Sequence, residues 1–568
     1  MDAENDPTGT RGGLGAAPEN ETSNSEAPSD SEDIREEQCL IPDKLDGSLG
    51  GTPLGQLNAA EDGGVDGEGQ RRQAARRRGC CSNSVTDFVR DVYSKYDPTF
   101  VTMLCAQYFN QGFKVLVSLA TADAFKTVYK LEPGEIQKIQ AIIGFPWVIK
   151  IVYGLISDNI AIAGSKRKSY LLIAALLQFL SMTVLVNNNA NDVNVAVVCL
   201  SLGSLSVAFS DVIVDALMCI QARRHPDGAE DLQTMSWCCL SIGGLAGSVV
   251  AAFLTENYDP SYCFQVTALF GLVIAVVASM LHVSLETEGL MVDVDGHRSF
   301  GADLCRYMSE IGQAFTIPEI YCMILYLLLY GLVVPSFSSF GYFFMLDVVE
   351  LSKFTYSMLT VLGFFCLLIG SALYTKYFKN YEFRSLILME MVVGLVFAPF
   401  SYMFVLRLNV QYGIPDLALI IFTDTVQDIV SQCFVFLPMA VMFAKITPRR
   451  IEATSFALLA GVSNFRATIR GWTGSWINDR FVGVSREDLT DYWVLVTIGF
   501  VCSFIPLLFL RLIPTRQQID KLQEAMQEDN EKEKLDKNSD GGKSTDSSTE
   551  LPKIDAHQEA HLDGEAKP

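Results

Sequence analysis

The chain has 568 residues, 49% of them hydrophobic, and 43 Lys and Arg against 65 Asp and Glu give it a formal charge of −22. Its mean hydropathy is nonetheless positive, at +0.25. That combination excludes a soluble protein of several domains. With only 5 histidines and no catalytic cluster, phosphate-cradling glycine loop or metal-ligand spacing, no enzyme, cofactor or metal site is expected.

The charge sits at the ends. Residues 1–70 carry a net −14 and residues 517–568 a net −7, leaving −1 between them. Both ends are rich in Gly, Ser, Asp, Glu and Asn and poor in apolar residues, so both are expected to be disordered. The first residues lack a secretory or transit pattern, so insertion is expected to begin with the first membrane span. The basic run Arg71, Arg72, Arg76, Arg77 and Arg78, followed by Cys80 and Cys81, suits anionic lipid rather than nucleic acid and matches a juxtamembrane palmitoylation pattern.

A bilayer core of about 30 Å needs about 20 apolar residues per helix. Twelve such runs follow in chain order. The first six cover approximately 100–125, 137–157, 169–187, 193–220, 233–255 and 262–285; the second six cover 318–346, 354–378, 384–407, 414–444, 451–477 and 491–513. The domain plan is therefore an acidic tail (1–99), a six-helix bundle (100–285), a polar loop (286–316), a second six-helix bundle (317–513) and a second acidic tail (514–568). Cys105, Cys199, Cys238, Cys239, Cys366, Cys433 and Cys502 lie inside apolar runs and are expected to be packing residues, not disulfides.

Basic residues fall on alternate loops: Lys166-Arg167-Lys168, Arg223-Arg224, Arg298 and Arg306, Lys376 and Lys379, Lys445 with Arg449-Arg450, and Arg511 with Arg516. The positive-inside rule puts these loops and both termini in the cytoplasm, with the plasma membrane the expected location. The sequon Asn20-Glu21-Thr22 would then go unused. Lys126, Lys130, Lys138, Arg480 and Arg486 are exceptions on the opposite side.

Six spans, a polar connector and six more spans match major facilitator transporters, in which two pseudo-symmetric halves enclose a midplane site. The fold class is thus an all-α polytopic membrane protein. Gly154-Leu155-Ile156-Ser157-Asp158, with Gly164-Ser165-Lys166-Arg167-Lys168, resembles the gating loop between helices two and three of that superfamily. The resemblance gives Gly154, Asp158, Lys166 and Arg167 a gating role; a plain helix end with topogenic charge is the alternative.

Gly144-Phe145-Pro146-Trp147-Val148-Ile149-Lys150, Tyr153-Gly154, Ser210-Asp211-Val212-Ile213-Val214-Asp215, Pro438, Pro448, Glu452-Ala453-Thr454, Phe456-Ala457-Leu458-Leu459 and Asn464 resemble the folate–biopterin transporter family. The resemblance spans roughly residues 100–513 and implies uptake of folates or unconjugated pterins, with protons as coupling ion. Phe465-Arg466-Ala467-Thr468-Ile469-Arg470 departs from the family pattern, where small uncharged residues follow the Asn.

A charge near the bilayer centre costs about 2.5–3.5 kcal/mol, so ionisable residues inside spans face a cavity or a partner. Lys114, beside Asn110 and Gln111 in the first span, and Lys150 in the second can point a cation at an anionic substrate. Asp211 with Asp215 in the fourth span and Asp424 with Asp428 in the tenth are each spaced i,i+4, on one helix face. Arg466 and Arg470 form a third such pair in the eleventh span, and a guanidinium grips a carboxylate through two parallel bonds. The structural alternative is an ion-pair network holding helices together, such as Lys150 with Asp211 or Arg466 with Asp428.

Glu390 is expected to be satisfied by a neighbour. Trp147, Tyr153, Trp237, Tyr326 and Tyr330 could stack on a flat heterocycle, although core packing is the favoured reading. The functional expectation is a secondary active transporter for folate, biopterin or a related pteridine. A carrier for another organic solute such as an amino acid or nutrient, and a transporter-like receptor or scaffold signalling through its tails, are the alternatives.

Overall fold

The computed structural model describes residues 85–187, 192–222, 225, 228–287, 309, 312, 315–446 and 452–525; the side chains of 85, 158, 159, 229, 230, 286, 287, 444 and 452–457 lie outside that description. The basic run at 71–78, Cys80, Cys81, most of the central loop, Arg223, Arg224, Pro448 and the greater part of both tails are likewise outside the described residues.

An amphipathic helix, α1 (Val85–Lys95), leads into α2 (Pro98–Thr127). The Asp97 carboxylate accepts from the amides of Thr99 at 2.8 Å and Phe100 at 3.2 Å, and Pro98 fills a position whose amide a helix start leaves unbonded. The ammonium of Lys95 ties α1 to Asp231 at 2.9 Å. Bonds to Asp91 and Asp231 push the Lys95 ammonium well above its ordinary range.

The next span is broken. α3 (Pro133–Gly144) ends at a 3-10 turn over Phe145–Trp147, and α4 (Lys150–Asn159) resumes, because Pro146 has no amide to continue the ladder. α5 (Lys168–Asn187), α6 (Val193–Ala222), α7 (Gly228–Asn257) and α8 (Ser261–Met280) complete the first helix set. The sixth run stops at Met280 instead of 285, since Leu281 turns extended.

The second set opens with α9 (Pro318–Val333) and α10 (Ser338–Phe343), the latter continued by a π turn over Phe344–Val348; this pair is bent by 47°. α11 (Lys353–Leu373), α12 (Phe383–Val405) and α13 (Asp416–Ser431) follow, α13 passing through a π turn into α14 (Leu437–Ile446). α15 (Glu452–Ile477) and α16 (Tyr492–Cys502), which ends in a 3-10 stretch to Leu512, close the fold.

Among the described residues, nine helices are long and apolar enough to cross a membrane, or ten if the bent pair is one span. α2 and α15, at 30 and 26 residues, have the length to cross but carry the intramembrane charges Lys114, Asp123 and Lys126, and Arg466 and Arg470. The seven in-span cysteines named above are free thiols.

Close backbone contact fixes the packing. A Cβ on Gly112 would lie 1.9 Å from the Leu240 carbonyl oxygen, and one on Gly243 2.2 Å from that of Phe109. Only glycine lets α2 and α7 approach this far. Within the first set α5 packs on α6 and α8; within the second, α9 packs on α15 and α13 on both α11 and α12. The sets meet where α7 touches α11 and where α15 and α10 touch α3.

Polar bonds between the sets gather at the end bearing residues 128–132, 349–352 and 483–491. Asp123, fully buried, takes Lys353 at 2.8 Å, and Lys126 pairs with Asp347. Gln137 Nε2 donates to the carbonyls of Ser336 and Gly471, each at 2.7 Å, Ser475 Oγ donates to the carbonyl of Gly134 at 2.8 Å, and Lys138 pairs with Asp479 at 2.5 Å. Those bonds tie the two helix sets together at that end.

Candidate functional site

The break in the second span creates the first part of the site. Tyr153, buried, donates its hydroxyl to the Pro146 carbonyl at 2.9 Å and packs on Phe209, which fixes the turn and projects Trp147. Asn464 Nδ2 of α15 donates to the Trp147 carbonyl at 3.1 Å, so the same turn is held from the second helix set.

Two cations share the Trp147 indole. Lys114 Nζ from α2 lies 4.6 Å and Lys150 Nζ from α4 lies 4.8 Å from its ring centre, where the negative face of the ring attracts them. Lys150 is paired with Asp211; no carboxylate among the described residues pairs with Lys114. The indole Nε1 and Gln111 Oε1 are buried without a hydrogen-bond partner. One helical turn along α6, Asp215 Oδ1 accepts the hydroxyl of Tyr108 at 2.5 Å.

The second cationic platform is built on α9 and α15. Arg466 Cζ stands 5.1 Å and Arg470 Cζ 5.5 Å from the ring centre of Tyr330. Arg470 Nε donates to the Val334 carbonyl at 3.0 Å, the chain end of α9 that its bend exposes. Arg466 Nε is buried and unbonded, although a Cβ on the facing Gly331 would come within 3.1 Å of the Arg466 backbone. A buried guanidinium N–H lacking a partner is costly unless something arrives to pair with it.

Among the described residues no cation pairs with Asp424 or Asp428 of α13; Asp424 Oδ1 accepts from the Thr423 hydroxyl at 3.3 Å, and Asp428 is exposed and approaches Gly363. Glu390 of α12 has Arg470 as its charged neighbour, with no ion pair between them among the described residues.

Of the two ion pairs considered as structural alternatives, Lys150 with Asp211 forms and Arg466 with Asp428 does not. Tyr153 and Tyr326 are core residues and Trp237 is exposed, whereas Trp147 and Tyr330 carry cations. Around the suggested gate, Arg167 Nη1 donates to Ser157 Oγ at 2.7 Å, while the Asp158 side chain lies outside the described residues. Sequence reading missed Tyr108, although Gln107, Asn110 and Gln111 flank it, and the Asp123, Lys126, Asp347 and Lys353 set. The signal for the latter was present: Lys126, an exception to the expected charge pattern, bridges the two helix sets through Asp347, and Lys138, another exception, does so through Asp479.

This is the architecture of a major facilitator membrane transporter. Solved structures of a nucleoside transporter, NupG, and a D-xylose-proton symporter share the fold, with TM-scores of 0.52 and 0.54 at 12% and 13% identity, each covering 73% of this chain and, respectively, 98% and 97% of theirs. The model of the BT1 family matches residues 111–533, and the chain belongs to that family. It is 24% identical over 481 residues to the probable folate-biopterin transporter 4 of Arabidopsis thaliana, covering 75% of this chain and 98% of that one. It is 26% identical over 412 residues to the folate-biopterin transporter of Synechocystis sp., covering 72% and 80%. The protein is a multi-pass membrane transporter.

Proposed function

We propose that the protein carries folate, biopterin or a related pteridine across a membrane by alternating access, coupled to protons. Twelve spans, counting α2 and α15, would form two six-helix halves rocking around the two cation-bearing aromatic platforms. The observation that carries the reading is Arg466 over Tyr330 with its Nε buried and unbonded, a cationic, flat-faced surface suited to an anionic heterocycle.

In this reading Arg466 and Arg470 hold an anionic group of the substrate, and Gln111, Lys114 and Lys150 with Trp147 form the opposing wall. A pterin donates two hydrogen bonds, from its 2-amino group and the adjacent ring N–H, and Asp424 and Asp428, which have no ion pair among the described residues, are acceptors matched to them. The bridged end is clamped by Asp123 with Lys353 and Lys126 with Asp347. Gly154, Asp158, Lys166 and Arg167 would latch the opposite end in the other half of the cycle.

The proposal puts both termini in the cytoplasm and the chain in the plasma membrane; as two Arabidopsis relatives are named chloroplastic, surface labelling of intact cells is the check on location. The functional test is uptake of labelled folate, biopterin and unrelated solutes across a pH gradient, in cells lacking their own pteridine transport. Uptake of a pteridine above the other solutes supports the proposal, and transport of neither pteridine refutes it.

A further inference from the structure

The two members of the α6 carboxylate pair have different surroundings. Asp211 is 3% exposed and is bonded to the Lys150 ammonium. Asp215 is partly exposed, accepts one hydroxyl, that of Tyr108, on Oδ1, and has no cation bonded to it among the described residues. A proton reaching Asp211 must break an ion pair, whereas one reaching Asp215 can settle on Oδ2 with the Tyr108 bond intact.

We infer that Asp215 is the carboxylate that carries the coupling proton, and that its protonation turns the Lys114–Trp147–Lys150 cluster into a binding site for a carboxylate of the substrate. This rests on the proposed reading of a proton-coupled pteridine carrier and names how the coupling works.

The cluster holds two cations, Lys114 and Lys150, and two carboxylates, Asp211 and Asp215. With both carboxylates ionised its charges cancel. One proton on Asp215 leaves a net positive charge beside Trp147, whose unbonded Nε1 supplies a donor for the incoming anion. Proton and anion then favour each other's binding, which is what symport requires.

The charged and titratable groups facing Asp215 are Tyr108 from α2, Lys150 from α4 and Asp211 on α6 itself. From α7 the neighbour is the non-titrating Ser236 hydroxyl, which reaches Tyr108. Lys150 and Asp211 are bonded to each other and Tyr108 donates its hydroxyl to Oδ1 of Asp215, so the remaining site for a proton is Asp215 Oδ2. Tyr108 acts as the positioning residue, holding Oδ1 and leaving Oδ2 open.

The test uses the full-length protein in liposomes, with labelled folate as the anionic probe and biopterin as the neutral one. For wild-type protein, acidifying the uptake side should raise apparent folate affinity by up to about tenfold per pH unit, the limit for one linked proton, and leave biopterin affinity unchanged. Asp215→Asn should abolish the pH response and gradient-driven accumulation yet still exchange internal for external folate. Tyr108→Phe should shift the pH midpoint while exchange persists.

Asp215→Asn protein that keeps the wild-type pH slope, or that reaches the membrane folded and loses exchange too, overturns the assignment. Wild-type folate uptake that ignores pH overturns this inference alone. Wild-type protein that moves neither pteridine refutes the transport reading and the inference with it.

Discussion

Arg466 lies over Tyr330 with its Cζ 5.1 Å from the ring centre and its Nε buried and unbonded. The ring supports the guanidinium without neutralising it, so the site is ready for an anion from outside the protein. Hydrogen bonds to charged groups contribute about 1.5–3 kcal/mol each, which corresponds to about 10- to 100-fold in affinity. Arg466→Ala should raise the folate KM by that range with normal surface protein. Arg466→Lys should recover little, because an ammonium cannot make the paired contact. Unchanged KM in concentration-dependent uptake would remove Arg466 from the site.

The bridged end separates a buried clamp from exposed decoration. Asp123 is 1% exposed at its side chain and Lys353 32%, whereas Lys138 and Asp479 are 43% and 48%. Breaking a buried pair costs about 3–5 kcal/mol, while an exposed one contributes about 0–1. Asp123→Asn should therefore open that end. A cysteine placed at Ser475, which is fully buried there, should become reactive to an impermeant maleimide, and the exchanged pair Asp123→Lys with Lys353→Asp should protect it again. Lys138→Ala should leave labelling unchanged.

Helix contact in the first set depends on glycine at defined points. Gly112→Val and Gly243→Val should abolish folded protein, because each new side chain starts within the van der Waals radius of a backbone carbonyl. Gly144→Ala meets nothing within 4 Å and should be neutral within about 1 kcal/mol. Monodispersity in detergent, measured for all three, checks this.

The pair of Lys150 with Asp211 should behave as a coupled unit. Asp211→Ala leaves a desolvated ammonium and should lower stability by about 3–5 kcal/mol. Adding Lys150→Ala should recover part of that loss, although transport would stay absent. Thermal unfolding of the two purified variants shows whether the double substitution is the more stable, as expected here.

The membrane class was legible because span length is a property of single segments; the described helices follow the apolar runs to within a few residues. The breaks were less so. Pro146 marks the turn at Phe145–Trp147, and Pro335 marks the break at which α9 and α10 bend, but the 47° size of that bend has no local signal. Lys150 with Asp211 was foreseeable as one of two candidate pairs, while the choice between them is set by which helices face each other. Tyr108 was missed for the same reason: Gln107, Asn110 and Gln111 beside it mark a polar stretch, but only the packing of α6 brings Asp215 to its hydroxyl.

The central claim is that these platforms surround a pteridine path. Purified protein in liposomes loaded with unlabelled folate, placed in trace labelled folate, should draw label inward transiently through exchange, and Arg466→Ala liposomes should do so far less. Label entering at the rate of protein-free liposomes, in preparations shown to be folded, would contradict it.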